Sequence, residues 1–118
     1  MRGDKERRIS HRISLPDLSG TVEIKDSVQP ITVVNASKEG VCITGVQCPE
    51  GSVVKLEIEP VEDIPAISLY CKVAWVSPKR EALKKSGLSF LNTNKVLFKE
   101  DLISFSRILE SAQARQSV

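Results

Sequence analysis

Six short apolar stretches, each bounded by turn-forming residues, constrain the fold of this chain more than any other feature of its sequence. They are TVEIK (21–25), ITVVN (31–35), GVCITGV (40–46), SVVKLEIEP (52–60), ISLYCKVAWV (67–76) and GLSFLN (87–92). Many of their residues are β-branched, and several stretches alternate apolar with polar residues, which is typical of strands with one buried face. Six such strands predict an antiparallel sandwich or barrel, and the alternation favours a barrel filled by side chains.

The spacing of the apolar residues becomes helical near the C-terminus. Four of them lie at intervals of four, three and four positions: Phe98, Leu102, Phe105 and Leu109. This spacing predicts a helix over about 95–113 with one apolar face. Such a helix is not stable alone, so it either packs on the barrel or meets a partner, and packing is the commoner use of such a face.

The predicted fold is therefore all-β with a C-terminal helix: a six-stranded antiparallel β-barrel plus one packed α-helix. The predicted segments are a flexible basic N-terminal arm over 1–14, the barrel over 15–93, the helix over 94–114 and a tail over 115–118. A chain of 118 residues is long enough for one domain with an ordinary hydrophobic core.

The positive charge of the chain is concentrated in this arm. Residues 1–12 carry five Lys and Arg against two Asp and Glu, a net charge of +3, whereas the rest carries twelve against thirteen, a net charge of −1. An uneven distribution of this kind is typical of proteins that bind an anionic partner. A solvated tail is the simpler interpretation if the arm is considered alone.

The cysteines indicate a reducing compartment. Cys42, Cys48 and Cys71 are odd in number, show no metal-ligand spacing and lie in or beside apolar runs. We therefore expect buried free thiols rather than a disulfide framework or a metal site. No apolar run is long enough to cross a membrane, and no hydrophobic stretch follows the N-terminal charges, so a cytoplasmic protein without membrane insertion is expected.

Two short motifs are candidates for binding. The first is RRISHR, in which Arg8 and Arg12 face the same side in either a helix or a strand, with Arg7 beside them. Guanidinium groups bind guanine edges and phosphates in a bidentate way. The second is NASKEG, from Asn35 to Gly40, which joins two predicted strands and is also simply a good turn sequence.

An RxxxR pair on an N-terminal arm, followed by [D/N]xSxxG at the first hairpin of a six-stranded barrel and by a C-terminal helix, resembles the PilZ domain. The later stretches CKVAWV (71–76) and SGLSFLN (86–92) are similar to the last two barrel strands of that family. The resemblance extends from about Lys5 to about Ser111. It implies that the chain binds cyclic di-GMP, a bacterial second messenger, and relays the signal to a downstream protein effector.

The resemblance also implies roles for individual residues. Arg8 and Arg12 would hold guanine edges and phosphates as the arm wraps the ligand. Arg7 would reach a further phosphate or base, or a second, stacked ligand molecule. This assignment accounts for a charged arm that is poor in apolar residues, because the arm would become ordered only against the nucleotide.

In the second motif, the family allows Asp or Asn at the first position, and this chain has Asn35. The resemblance implies that Asn35 bonds a guanine, that Ser37 contacts a phosphate or shapes the turn, and that Gly40 permits close approach. A neutral amide is a weaker acceptor for guanine N–H groups than a carboxylate is. Trp75 shares an alternating face with apolar strand residues, which favours a core position for it over stacking under a base.

Three other functions are compatible with parts of the pattern. A barrel that binds RNA or single-stranded DNA would need exposed aromatic residues, and most of the few present here fit core positions, so no DNA or RNA is expected. A PilZ-like adaptor that binds only protein is the main alternative. An enzyme is least favoured, because the sequence contains no catalytic constellation, and neither a cofactor nor a metal is expected.

Overall fold

The structure, a computed structural model, describes residues 13–15, 18–78 and 81–116. Its strands are β1 (Ile13–Ser14), β2 (Ser19–Ile24), β3 (Ser27–Ser37), β4 (Gly40–Thr44), β5 (Val53–Ile58), β6 (Ile67–Val76) and β7 (Lys85–Phe90). Two helices follow, α1 (Asn94–Leu97) and α2 (Lys99–Gln116).

Strands β2 to β7 form a closed antiparallel barrel. The strand order is β1-β3-β2-β5-β6-β7-β4, and an additional pairing of β3 with β4 closes the sheet. Each of the six predicted stretches contributes one barrel strand, so the predicted fold class is confirmed. The interior is filled by β-branched and leucine side chains with almost no exposed surface, among them Val22, Val33, Ile43, Leu56 and Leu69.

The C-terminal helix packs its apolar face against the barrel, as expected. Phe105, Ile108, Leu109 and Ala112 are buried in the core. The Phe105 ring meets the Phe90 ring edge-on, with centroids 5.1 Å apart and planes at 86°. The helical segment is interrupted at Phe98 and reaches Gln116, two residues beyond the predicted boundary.

The N-terminal boundary also differs from the prediction. Ile13 and Ser14, assigned to the flexible arm, form a short strand opposite Ala36 and Asn35 of β3. The buried side chain of Ile13 belongs to the core, which explains why these two residues join the sheet. The three arginines of the first motif lie outside the described residues.

The three cysteines are buried, and none of them forms a disulfide. Cys48 and Cys71 belong to the barrel core, whereas Cys42 lies on the outer side of β4. Burial, and to a smaller degree the neighbouring Cys48 thiol, raises the pKa of Cys71 to about 12. In the described ranges, no helix has the length and apolar character needed to span a bilayer.

Candidate functional site

A row of four outward-facing residues crosses the barrel wall through strands β3, β4, β7 and β6. Asn35 lies opposite Cys42, Cys42 opposite Gly87, and Gly87 opposite Trp75. Adjacent strands lie about 4.8 Å apart, so the backbones of Asn35 and Trp75 are roughly 14 Å apart. The two residues between them are small, and the row therefore forms a trough with an amide at one side and an indole at the other.

Two β-bulges turn the ends of this row outward. In β3 the register shifts between Val33 and Asn35, and in β6 it shifts between Val73 and Trp75. Each shift leaves one extra residue without an opposite partner, which reverses the alternation of the side chains that follow. Val33 and Val73 point into the core. Asn35 and Trp75, two positions later, point to the outside.

The expected core position of Trp75 is therefore wrong. Its side chain is 43% exposed, and it lines a surface pocket. The sequence alternates regularly through this strand, and the bulge that reverses it leaves no mark in the residue pattern. The indole lies over Gly87, where a Cβ atom would clash with three of its ring atoms. The lack of a side chain at Gly87 creates the space that the indole occupies.

The second motif forms the β3–β4 turn, which is one wall of the trough. The Ser37 hydroxyl accepts a hydrogen bond of 3.2 Å from the backbone N–H of Glu39, and Ser37 is only 1% exposed. At Gly40 a Cβ atom would clash with the carbonyl oxygen of Leu88. Ser37 thus shapes the turn, and Gly40 permits the close approach of β4 to β7.

These residues surround a pocket with a volume of about 540 Å³. Asn35, Ser37 and Gly40 line it together with Trp75, Gly87 and Lys85. The last three were not among the predicted site residues, because the bulges and the strand register that bring them there depend on the tertiary fold. The charged residues among the described lining are Glu39 and Lys85.

The predicted arginine motif precedes this pocket in the chain. Ser14 lies opposite Asn35, and Ile13 lies opposite Ala36. Because the two strands are antiparallel, β1 begins at the end of β3 that is nearer to Ser37. Arg12 is the next residue toward the N-terminus. Within the part of the chain that the structure describes, no group of three or more His, Cys, Asp or Glu side chains is placed to hold a metal ion.

Two solved structures of one protein resemble this fold. The PilZ domain of YcgR from Escherichia coli, with c-di-GMP, aligns with a TM-score of 0.65 at 18% identity, over 95% of this chain and 99% of that one. A structure of YcgR from the same organism, in complex with c-di-GMP, aligns with a TM-score of 0.67 at 14% identity, over 94% of this chain and 50% of that one.

A third structure, the inhibitor of motility MotI (DgrA) from Bacillus subtilis, aligns with a TM-score of 0.53 at 15% identity, over 85% of this chain and 51% of that one. At these identities the likeness concerns the fold. No curated protein matches the sequence significantly. The family model of the PilZ domain matches residues 6–107. This match covers most of the chain, which therefore belongs to the PilZ domain family.

Proposed function

We propose that this chain is a receptor for cyclic di-GMP. The observation that carries the proposal is the outward row that has Asn35 at one end and Trp75 at the other, with Cys42 and Gly87 between them. An amide supplies both a donor and an acceptor to a base edge, and an indole supplies a stacking surface. A purine base therefore finds complementary groups at both sides of the trough.

The arginine motif supplies the remaining contacts in this proposal. Arg8 and Arg12 bind guanine edges and phosphates, and Arg7 reaches a further phosphate or base. The described chain begins with Ile13 and Ser14, which lie opposite Ala36 and Asn35 of the second motif. Backbone ordering costs roughly 1–2 kcal/mol per residue, so the arm needs several strong contacts to become ordered.

Ordering of the arm is the proposed signal. An arm that becomes fixed on the barrel creates a new surface, which a downstream protein effector recognises. The relay requires no chemical step by the receptor itself, so we propose that the chain is not an enzyme. Because the nucleotide is a bacterial second messenger, the proposal implies a bacterial protein that acts in the cytoplasm.

The test is calorimetric titration of the purified chain with cyclic di-GMP. We expect micromolar or tighter binding, and the stoichiometry distinguishes one bound ligand from two. Arg8→Ala removes one bidentate contact and should weaken binding at least about tenfold. Arg115→Ala, at the exposed end of α2, is the matched control and should leave affinity unchanged.

Absence of heat and of any thermal shift with the parent chain would contradict a receptor function. The second candidate, a PilZ-like adaptor that binds protein without nucleotide, would then be favoured. Exposed apolar side chains on the helices support it: Val96 is 80% exposed, and Leu97 and Ile103 are also largely exposed. Exposed apolar surface of this kind is typical of protein-binding sites when it forms a continuous patch.

A further inference from the structure

We propose that Lys85 is a second, separate phosphate contact of the same pocket. The inference rests on the proposed function, since it assigns a ligand group to a residue outside both sequence motifs. Lys85 is the first residue of β7, and its partly buried side chain lines the pocket with Trp75 and Gly87. Among the described lining residues it is the one that carries a positive charge.

The strand register places Lys85 at the opposite end of the pocket from the β3–β4 turn. Along β7, Ser89 faces outward opposite Gly40, next to the β3–β4 turn. Gly87 faces outward opposite Trp75. Lys85, two positions before Gly87 in β7, also faces outward and lies opposite Thr44. Ser89 lies four positions after Lys85 along the strand, which corresponds to roughly 13 Å.

The backbone of Lys85 is fixed by buried polar groups. Its N–H donates to the Ser77 hydroxyl and its carbonyl oxygen accepts from the Ser77 N–H, both at 3.0 Å. The Gln47 amide nitrogen in turn donates to the Ser77 hydroxyl at 2.9 Å. A residue held in this way presents its side chain from a defined point, which lowers the entropic cost of binding a ligand.

The charge of Lys85 is available for a ligand. Within the described ranges its ammonium group forms no ion pair, and the ion pairs found there involve Lys55 and Arg107. Glu39, the acidic residue among the described pocket lining, belongs to the β3–β4 turn at the other end of the trough.

The ligand chemistry fits two separate cationic positions. Cyclic di-GMP carries two phosphodiester groups on opposite sides of its ring, each with one negative charge. An ammonium group acts as a compact point charge and pairs well with a phosphate oxygen, whereas guanidinium groups also read base edges. We therefore assign one of the two phosphodiesters to Lys85.

The test compares Lys85→Gln with Lys84→Gln by calorimetric titration with cyclic di-GMP at low and at high salt. Both variants remove one positive charge from neighbouring residues, but Lys84 does not line the pocket. We expect Lys85→Gln to weaken binding at least tenfold and to flatten the salt dependence, because one phosphate contact is lost. Lys84→Gln should stay within twofold of the parent chain, and Lys85→Arg should retain most of the affinity.

The outcomes separate this inference from the receptor function. If the parent chain binds and both Gln variants bind alike, Lys85 has no contact role and the inference is overturned, while the receptor function stands. If the parent chain does not bind, both are overturned. A thermal unfolding midpoint for Lys85→Gln equal to that of the parent chain excludes misfolding as the cause of a lost affinity.

Discussion

At Gly87 the missing side chain sets the shape of the pocket. The three atoms nearest to an alanine Cβ at this position all belong to the Trp75 indole, so an alanine would clash first with that ring. Gly87 is otherwise an ordinary strand residue, opposite Cys42 on one side and Trp75 on the other. The side-chain volume at this position and the orientation of the indole are therefore directly coupled.

A double-mutant cycle tests this coupling. We expect Gly87→Ala to lower the free energy of unfolding by about 1–3 kcal/mol, as overpacking does, in the parent chain. In the Trp75→Ala background the same substitution should cost almost nothing, because the clashing ring is gone. Chemical denaturation followed by circular dichroism measures both values. Equal costs in the two backgrounds would show that the glycine is required by the strand backbone instead.

Among the elements, β3 and β6 show where prediction from the sequence succeeds and where it ends. Their existence follows from local alternation, and the turn after Ser37 follows from residues that favour turns. The bulges do not follow from the local sequence, because an extra residue in a strand is defined by the pairing with the partner strand. For this reason Asn35 and Ser37 could be placed in a candidate site, whereas Trp75 was assigned to the wrong face.

The helix α2 is joined to the barrel by apolar and polar contacts. Phe105 fills the core, and the Asp101 carboxylate accepts a hydrogen bond of 2.6 Å from the backbone N–H of Ser68. In α1, the buried Asn94 amide bonds both the N–H and the carbonyl oxygen of Tyr70, at 2.9 and 2.8 Å. Cys71 is the first β6 residue that pairs with β7. The two side chains therefore bond backbone groups in the part of β6 that precedes this pairing.

Two substitutions in α2 separate its buried face from its exposed face. Phe105→Ala should lower the free energy of unfolding by about 3–5 kcal/mol, because it removes a fully buried ring that packs on Phe90. Ile103→Ala, in the same helix but largely exposed, should stay within about 0.5 kcal/mol of the parent chain. Urea denaturation of both variants makes the comparison. A small loss for Phe105→Ala would mean that the helix does not stabilise the barrel.

For the whole molecule, the fold was accessible from the sequence because six alternating runs and one helical stripe leave few ways to bury their apolar faces. Closure between β3 and β4 cannot be read from any single segment, since it depends on all the strands together. Pairing of Ile13 with Ala36 was also missed, because one apolar residue beside a charged arm gives no periodic pattern. Short strands are specified by the sheet that they join.

The buried thiols give the molecule a predictable alkaline limit. Burial raises the pKa of Cys71 from 9.0 to about 12. The unfolded chain therefore loses this proton at a lower pH than the folded chain does, and stability present below pH 9 should fall as the pH rises toward 12. We expect a decline of up to about 1.4 kcal/mol per pH unit from this group. In Cys71→Ala the decline should be shallower, and denaturation midpoints between pH 8 and 11 measure it.

Trp75 is the only tryptophan of the chain, and it lies at the wall of the pocket, next to Gly87 and across the pocket from Asn35. The protein therefore contains a single indole, positioned at the candidate site, and Tyr70 is its only other strong intrinsic emitter. The emission of Trp75 depends on contact with water and on stacked aromatic groups. Excitation at the long-wavelength edge of the indole band, where tyrosine does not absorb, therefore monitors this part of the surface selectively. Occupancy of the pocket can be followed in dilute solution without any attached dye.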